Sequence, residues 1–570
     1  MIFVELDKVY PSAEKLVAVK AASRVAAKDN TLYDFSEYAC NFSKDFMGWA
    51  NLATNPPVAL SEIQELANKF IDAGFESAVL LGQGGSTQAA MTLTKYCKDE
   101  STGLKFRTLD SDSPVRFREM LAAIDPAKTV VIVSSKSGGT LEMRSYLAAV
   151  RAAFLESMTE EEFKTQHLVA ISDPGSALTE EATSEGWAGY LPGEATVGGR
   201  FSALSVFGLF PAALVGIDLE DLMAHAAEAE RVCSQDSLDN PALQLAAFLY
   251  DNYAVGRNKF SYLTAKRGRV LGLWIEQLIA ESTGKDGKGI LPQIEVDSLL
   301  LAKDRGDRAV VVYRTKADTW DEAENFEQGL ACVDPAIPRA TMRVGEVEEL
   351  AEHFMVWEYA TAMCGYLMEV SPFDQPDVAS TKAKVLEILD EGLPEPSFAD
   401  DLVAAGVNRG AVEVTLSDCC EDAKTLREAL KALFASVKPG DYFATNAFLP
   451  FTGEGRPDAL ADIRRVIGEK LGVMSCLEIG PRYLHSTGQL QKAGPAIGVY
   501  LVVSAGELND IPIEGEKAPS LGLLAKAQAA GDAATLVERG RRCLHLHLSD
   551  NSGTTLRVLA ILIDEVLDEL

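Results

Sequence analysis

From about Leu60 onward the sequence alternates short apolar runs with amphipathic helical stretches, and small residues fill the junctions between them. That alternation is what a mainly parallel sheet covered by helices requires, so an α/β fold is expected. The runs 78–81, 130–133 and 167–171 read as strands. They leave through Gly82-Gln83-Gly84-Gly85-Ser86, Ser135-Lys136-Ser137-Gly138-Gly139-Thr140 and Ser172-Asp173-Pro174-Gly175, each of which opens a helix. After an acidic helical stretch the pattern restarts with strands at 260–264 and 309–313, a helical face carrying Val270, Leu271, Trp274 and Leu278, and a helix over 354–367. The Gly, Pro and charged residues of 391–396 mark a boundary, beyond which strands at 442–445, 499–503 and 544–548 form a third lobe. The expected organisation is an N-terminal segment (1–59), two doubly wound, mainly parallel-sheet lobes (60–230 and 231–392) and a C-terminal α/β lobe (393–570). A length of 570 residues suits three or four such cores.

Charge removes some function classes. Lys and Arg total 53 against 84 Asp and Glu, a formal charge of −31, whereas nucleic acids and anionic membranes are met with a basic footprint. Neither is an expected partner, although a locally positive pocket still suits a small anion. The opening MIFVELDKVYPSAEK has no basic region followed by an apolar stretch, so no signal peptide and a cytoplasmic location are expected. The most apolar segment, 201–217, contains Ser202, Ser205, Gly208 and Pro211 and falls short of the ~20 residues of a membrane span, so it reads as a buried core helix. Nine scattered cysteines without a C-x-x-C read as reduced, buried thiols. No metal-ligand spacing occurs, and neither metal nor cofactor is expected.

Two successive strand-to-helix junctions combine glycines with hydroxyls. Glycine lets the backbone approach an anion, helix N-termini present N–H groups, and Ser or Thr adds donors. Alone, Gly82–Ser86 is equally an ordinary tight turn. The loop 135–140 carries Lys136 among Ser135, Ser137 and Thr140, the donor set that a phosphate monoester wants. In Val197-Gly198-Gly199-Arg200-Phe201-Ser202 an arginine precedes an almost uncharged stretch and needs a partner there, either a structural carboxylate or a substrate oxyanion. Glu281 lies two helical turns after Trp274, in Glu281-Ser282-Thr283-Gly284-Lys285; it could serve as a general base or pair with Lys285, and spacing leaves both open.

Taken in order, G-x-G-G-S, S-K-[ST]-x-x-T, V-G-G-R-[FY]-S, E-S-x-G-K and D-Q-P-x-V-x-x-x-K, the last spanning Asp374 to Lys382, resemble the glucose-6-phosphate isomerase family, which is built on sugar-isomerase (SIS) domains. The motifs cover about residues 60 to 390. The phrases PFDQPDV and ESTGKDGKGILP are most similar to the isomerase half of the bifunctional transaldolase/glucose-6-phosphate isomerases. No stretch resembles the transaldolase half, and the ~80 residues before the first motif are too few for a barrel of about 250. The resemblance implies SIS-type lobes, a sugar-phosphate pocket, a homodimer, and interconversion of glucose 6-phosphate and fructose 6-phosphate through a cis-enediol. It places the phosphate on Ser135, Lys136, Ser137 and Thr140 beside Gly85 and Ser86. It sets Arg200 against the enediolate, Glu281 as the base, and Gln375 and Lys382 at the ring end, with Gly199 among the substrate-binding residues. The alternatives are a non-catalytic sugar-phosphate-binding SIS protein and a dual glucose/mannose 6-phosphate isomerase.

One departure stands out. The family's catalytic histidine falls between the Glu and the Lys, in an H-S-x-G-Q segment, and no histidine occupies the matching interval at 296–302. The match is displaced to His485-Ser486-Thr487-Gly488-Gln489, making His485 the expected acid–base. His353 lies inside the interval but in a stretch that reads as a core helix. His545 and His547 share one strand face, where a structural role outweighs a metal pair.

Overall fold

The computed structural model describes residues 3–97, 101–295, 298–316, 319–376 and 378–570. Every residue of the strands Ser77–Leu81, Thr129–Ser134 and Leu168–Ser172 is buried, as strands covered on both faces demand. They form a parallel five-stranded sheet with Lys105–Leu109 outside Ser77–Leu81 and Gly189–Pro192 at the other edge. The chain builds from Ser77–Leu81 to one side and then returns to its other side. The order therefore reverses between Ser77–Leu81 and Thr129–Ser134, and such a reversal opens a crevice at the carboxyl ends of the strands. The loops 82–86 and 135–140 leave from those two ends.

A second sheet repeats the plan. Its parallel strands run Leu291–Glu295, Lys259–Thr264, Arg308–Thr315, Arg339–Val344, with Glu5–Leu6 added antiparallel at the edge. The helix Arg269–Thr283 follows the first parallel strand of this sheet as Gly85–Tyr96 follows the first strand of the other, and these two helices pack on each other. One hydrophobic core runs through both sheets. It also takes in the N-terminal segment, which folds as the short helices Ser12–Ala18, Ala21–Ala26 and Glu37–Asp45 and buries Tyr33 and Trp49. The apolar stretch after Phe201 is buried as expected, but its helix is only Val206–Leu214, because Gly199–Phe201 forms a 3₁₀ turn and Ser205 caps the helix by accepting from the Phe207 amide at 3.3 Å. Among the described residues no helix is long and apolar enough to cross a membrane.

The chain divides into two compact units, one of residues 1–109 with 124–375, the other of 110–123 with 376–570. The second unit has its own core and sheet. Its parallel strands Met474–Ile479, Tyr442–Phe448, Gly498–Ala505 and Arg542–Leu548 show the same reversal, extended by an antiparallel hairpin, Phe398–Ala404 and Val407–Thr415. The hairpin turns at Ala405 and Gly406, both with positive φ (46° and 74°), the twist that two-residue turns favour. The helix Pro114–Ala122 belongs to this unit through Glu119, whose carboxylate accepts from Thr452 Oγ1 at 2.8 Å. His545 and His547 both meet the Ser504 hydroxyl, at 3.0 and 2.9 Å. Burial pushes their pKa values down to about 3 and about 4, so they are neutral hydrogen-bonding imidazoles. None of the cysteines is in a disulfide; six are buried, but Cys40 and Cys419 are half-buried and Cys332 is exposed, against the expectation of uniformly buried thiols.

The helix Leu350–Met368 is buried on nearly every side and carries Glu358, which is 1% exposed and whose Oε1 has no hydrogen-bond partner. Burial raises its pKa well above the ordinary value, so the folded state keeps the proton that the unfolded chain gives up. Stability is therefore lost as pH rises above the unfolded carboxyl pKa, by up to ~1.4 kcal/mol per pH unit. Glu358→Gln should raise the calorimetric Tm more at pH 8 than at pH 5; an equal shift at both would mean that the carboxyl is ionised in the fold.

Candidate active site

The glycine-rich turn 82–86 is shaped by close backbone approach. Gly84 has φ +56° and ψ −129° and stands at the start of helix Gly85–Tyr96. A Cβ on Gly85 would overlap the carbonyl carbon and oxygen of Gly199, and one on Gly82 would lie 2.7 Å from the Ser134 carbonyl oxygen. The first and third motifs are thus packed backbone to backbone. Ser134 Oγ donates to the Ser86 carbonyl at 3.2 Å, which joins the second motif to the first.

In the loop 135–140, buried Ser135 accepts from the Gly138 amide at 3.1 Å and shares a 2.9 Å bond with Thr140 Oγ1. Gly138 has φ +70°, and a Cβ there would sit 2.8 Å from Leu178. Ser137 is exposed, and Thr140 precedes helix Leu141–Phe154 without capping it through its side chain. Lys136 does not face these hydroxyls as the sequence leads one to expect. Its Nζ pairs with Asp173 at 2.5 Å and donates to the carbonyls of Glu194 and Ala195 at 3.3 and 2.9 Å. Burial raises the Asp173 pKa and Lys136 pulls it down, so each charge is answered by the other. What the loop offers an anion is its hydroxyls and the N-terminus of a fourteen-residue helix.

Arg200 and Glu281 form a buried charged centre in the first unit. Arg200 is 2% exposed and Glu281 6%. Arg200 Nε donates to Ser282 Oγ at 2.7 Å, Nη1 to Gln375 Oε1 at 2.9 Å, and Nη2 to the carbonyls of Pro372 and Asp374 at 2.6 and 2.9 Å. Glu281 Oε1 lies 3.4 Å from Arg200 Nη1, while Oε2 accepts from Gln277 Nε2, one helical turn earlier, at 3.1 Å. Burial lowers the guanidinium pKa, and the charges of Glu281 and Asp374 oppose that. Lys285 pairs with Asp374 and not with Glu281. The rings behind this centre come from the N-terminal segment and the last motif: Trp49 stacks on Phe201 with centroids 5.0 Å apart, and Phe373 lies 5.4 Å from both Phe201 and Tyr33.

The expected site residues divide between the units. Gly85, Ser86, Ser135, Lys136, Ser137, Thr140, Gly199, Arg200, Glu281 and Gln375 lie in the first unit; Gln375 is exposed while its amide oxygen holds Arg200. Lys382, exposed on helix Val378–Glu391, and His485, half-buried at the end of the 3₁₀ turn Arg482–His485, lie in the second. The helix Gly488–Ala493 after His485 is held by Gln491 to Asn446 at 2.8 Å and by a buried Lys492–Asp532 pair at 2.6 Å. His353 is a core residue: its Nδ1 meets the Tyr313 hydroxyl and its Nε2 the Arg343 carbonyl, both at 2.9 Å, and burial pushes its pKa down to about 3. Gln277, Ser282 and Asp374 were not singled out from the sequence. Ser282 and Asp374 are fixed positions of two of the motifs, and Gln277 stands four residues before Glu281.

A family model described as phosphoglucose isomerase matches residues 71–295. A glucose-6-phosphate isomerase of Mycoplasmopsis pulmonis is 30% identical over 393 residues, 61% of this chain and 91% of that protein. One from Exiguobacterium sibiricum is 28% identical over 437 residues, 67% and 95% of the two chains. Among solved structures, a hypothetical protein from Thermus thermophilus superposes with TM-score 0.56 at 26% identity, over 68% of this chain and 100% of that one. A glucose-6-phosphate isomerase from Chlamydia trachomatis superposes with TM-score 0.51 at 18% identity, over 65% and 78% of the two chains, and supports the fold.

The glycine contacts are unequal, since a Cβ on Gly199 would meet only the Gly85 Cα, at an ordinary 3.7 Å. Gly85→Ala should therefore lower Tm by several degrees, an overpacking cost of ~1–3 kcal/mol, whereas Gly199→Ala should leave Tm nearly unchanged. Equal thermal shifts in the two variants would contradict the packing described.

Proposed function

The chain belongs to the glucose-6-phosphate isomerase family, and on that premise we propose how its own residues divide the isomerisation of glucose 6-phosphate to fructose 6-phosphate. Glu281 removes the proton from C2 of the open-chain aldose and returns it to C1. Arg200 stabilises the negative charge that the cis-enediolate carries between the two transfers. The observation that carries this reading is the buried Arg200–Glu281 pair, 3.4 Å apart, with each member held by further hydrogen bonds. Removing a proton beside a carbonyl needs a base and a cation placed in advance for the developing oxyanion. A sugar-phosphate sensor, the alternative, would need only the phosphate loop and would have no use for such a pair.

The phosphate is assigned to Ser135, Ser137 and Thr140, with Gly85, Ser86 and the N-terminus of helix Leu141–Phe154. Lys136 acts one step back, through Asp173, by holding the loop against the turn after Leu168–Ser172. Gln375 lies at the ring end, with Gly199 beside the enediolate. His485 opens the sugar ring by moving a proton between the ring oxygen and the C1 hydroxyl, a task suited to an imidazole near neutral pH. The functional form is a homodimer.

Two substitutions test these assignments. In a coupled assay, Glu281→Gln should lower kcat by at least ~10²–10⁴, the usual range for a general base, with affinity for 6-phosphogluconate within a few-fold. Retained turnover would remove Glu281 from the role. His485→Ala should impair isomerisation of the closed sugar far more than solvent proton exchange on an open-chain substrate; equal losses would assign ring opening to another group. Assays with mannose 6-phosphate alongside glucose 6-phosphate show whether a second aldose is accepted.

A further inference from the structure

Just beyond the helix that carries Glu281, the chain makes a tight turn in which Asp286 and Gly287 have φ of +53° and +73° and Lys285 pairs across to Lys288. The turn directs both lysines to one segment. Lys288 Nζ donates to the Met368 carbonyl at 2.8 Å, where helix Leu350–Met368 ends. Lys285 Nζ donates to the Ser371 carbonyl and to the Asp374 carboxylate. Lys285 and Asp374 are each 3% exposed.

A buried ion pair is poor evidence for stability, because desolvation offsets the attraction and apolar isosteres often serve as well. The segment that this pair holds offers a different account of it. The carbonyls of Pro372 and Asp374 and the Gln375 amide are the acceptors that orient Arg200 Nη1 and Nη2. Ring packing holds Phe373, the residue between Pro372 and Asp374, and the Lys285–Asp374 pair ties the same segment to the turn after the helix that carries Glu281. Lys285 also follows Glu281 by four residues, so one ion pair registers the base and its facing cation against each other.

We propose that Lys285 is a positioning residue for proton transfer, acting through Asp374 to aim the Arg200 guanidinium beside Glu281. The inference rests on the roles of Arg200 and Glu281 proposed above. The charged groups acting on the ammonium are Arg200, Asp374 and Glu281, and Asp374 in turn acts on the Tyr38 phenol. Burial, then Arg200, pushes the Lys285 pKa down to about 8 against the pull of Asp374 and Glu281, which brings loss of the ion pair within reach of mildly alkaline pH.

The test compares Asp374→Asn, the double variant Lys285→Met/Asp374→Asn and Arg200→Lys, each checked for folding by circular dichroism. The double variant removes both charges, so no uncompensated ion is left buried; Asp374→Asn keeps an acceptor in place and decides the matter where the double variant does not fold. In the folded variants of the pair, kcat and solvent deuterium exchange at C2 should fall together by roughly 10–100-fold, the scale of a small misplacement, with KM within about threefold. The alkaline decline of kcat in the parent enzyme should be absent in the double variant. Parental kcat in a folded variant, or a loss confined to KM, would overturn the inference. Should Arg200→Lys keep parental kcat, the reading of Arg200 itself fails; should it lose kcat while the pair variants do not, only the positioning role fails.

Discussion

A guanidinium with almost no access to water must find acceptors for all its donors, or the cost of burying it goes uncompensated. Arg200 finds them 82 residues away at Ser282 and 172 to 175 residues away at Pro372, Asp374 and Gln375. Those distances in sequence mean that three motifs cannot take their places independently; each is held where the arginine's donors reach it. Arg200 also lies 5.6 Å over the Phe201 ring, which packs with Trp49 and Phe373, and in so buried a setting a charge acts far more strongly than it would in solvent.

The sheets decide where this arrangement can form. All three share one order of parallel strands, with the reversal beside the first strand. In the first sheet that reversal sets the loops 82–86 and 135–140 side by side. In the second, the helix after the first strand delivers Glu281. Gly85 against Gly199 then sets how near the backbones approach, since a single added carbon there would collide with the peptide of Gly199. The fold thus supplies loop ends and helix ends, and short-range packing converts their rough nearness into contact.

Much of this was legible in the sequence because its signals are local. An apolar run followed by small residues marks a strand leaving into a helix, and the strands of the first lobe lie within a residue or two of where that pattern puts them. What depends on distant partners was not legible. Nothing near Lys136 reports Asp173, 37 residues on, so its charge looked available to a ligand. The helices of the N-terminal segment are six to nine residues long, too short for a period to emerge, and the burial of Trp49 was invisible. The hairpin strand Phe398–Ala404 carries Asp400 and Asp401 and shifts register beside them, which masks its alternation. The two units were hidden for another reason: the helix Pro114–Ala122 belongs with residues more than two hundred positions further on.

That helix has a consequence for synthesis on the ribosome. Glu119 and Thr452, which bond to each other, are 333 residues apart. At ~5–20 residues per second, the helix emerges roughly 20–70 s before its partner does. During that interval the first sheet can close around the connection while the helix itself has nothing to dock against, and its buried side chains Phe117 and Met120 are open to other nascent chains and to chaperones. The second unit, although nearly all of it is encoded at the C-terminal end, cannot be completed from that end alone.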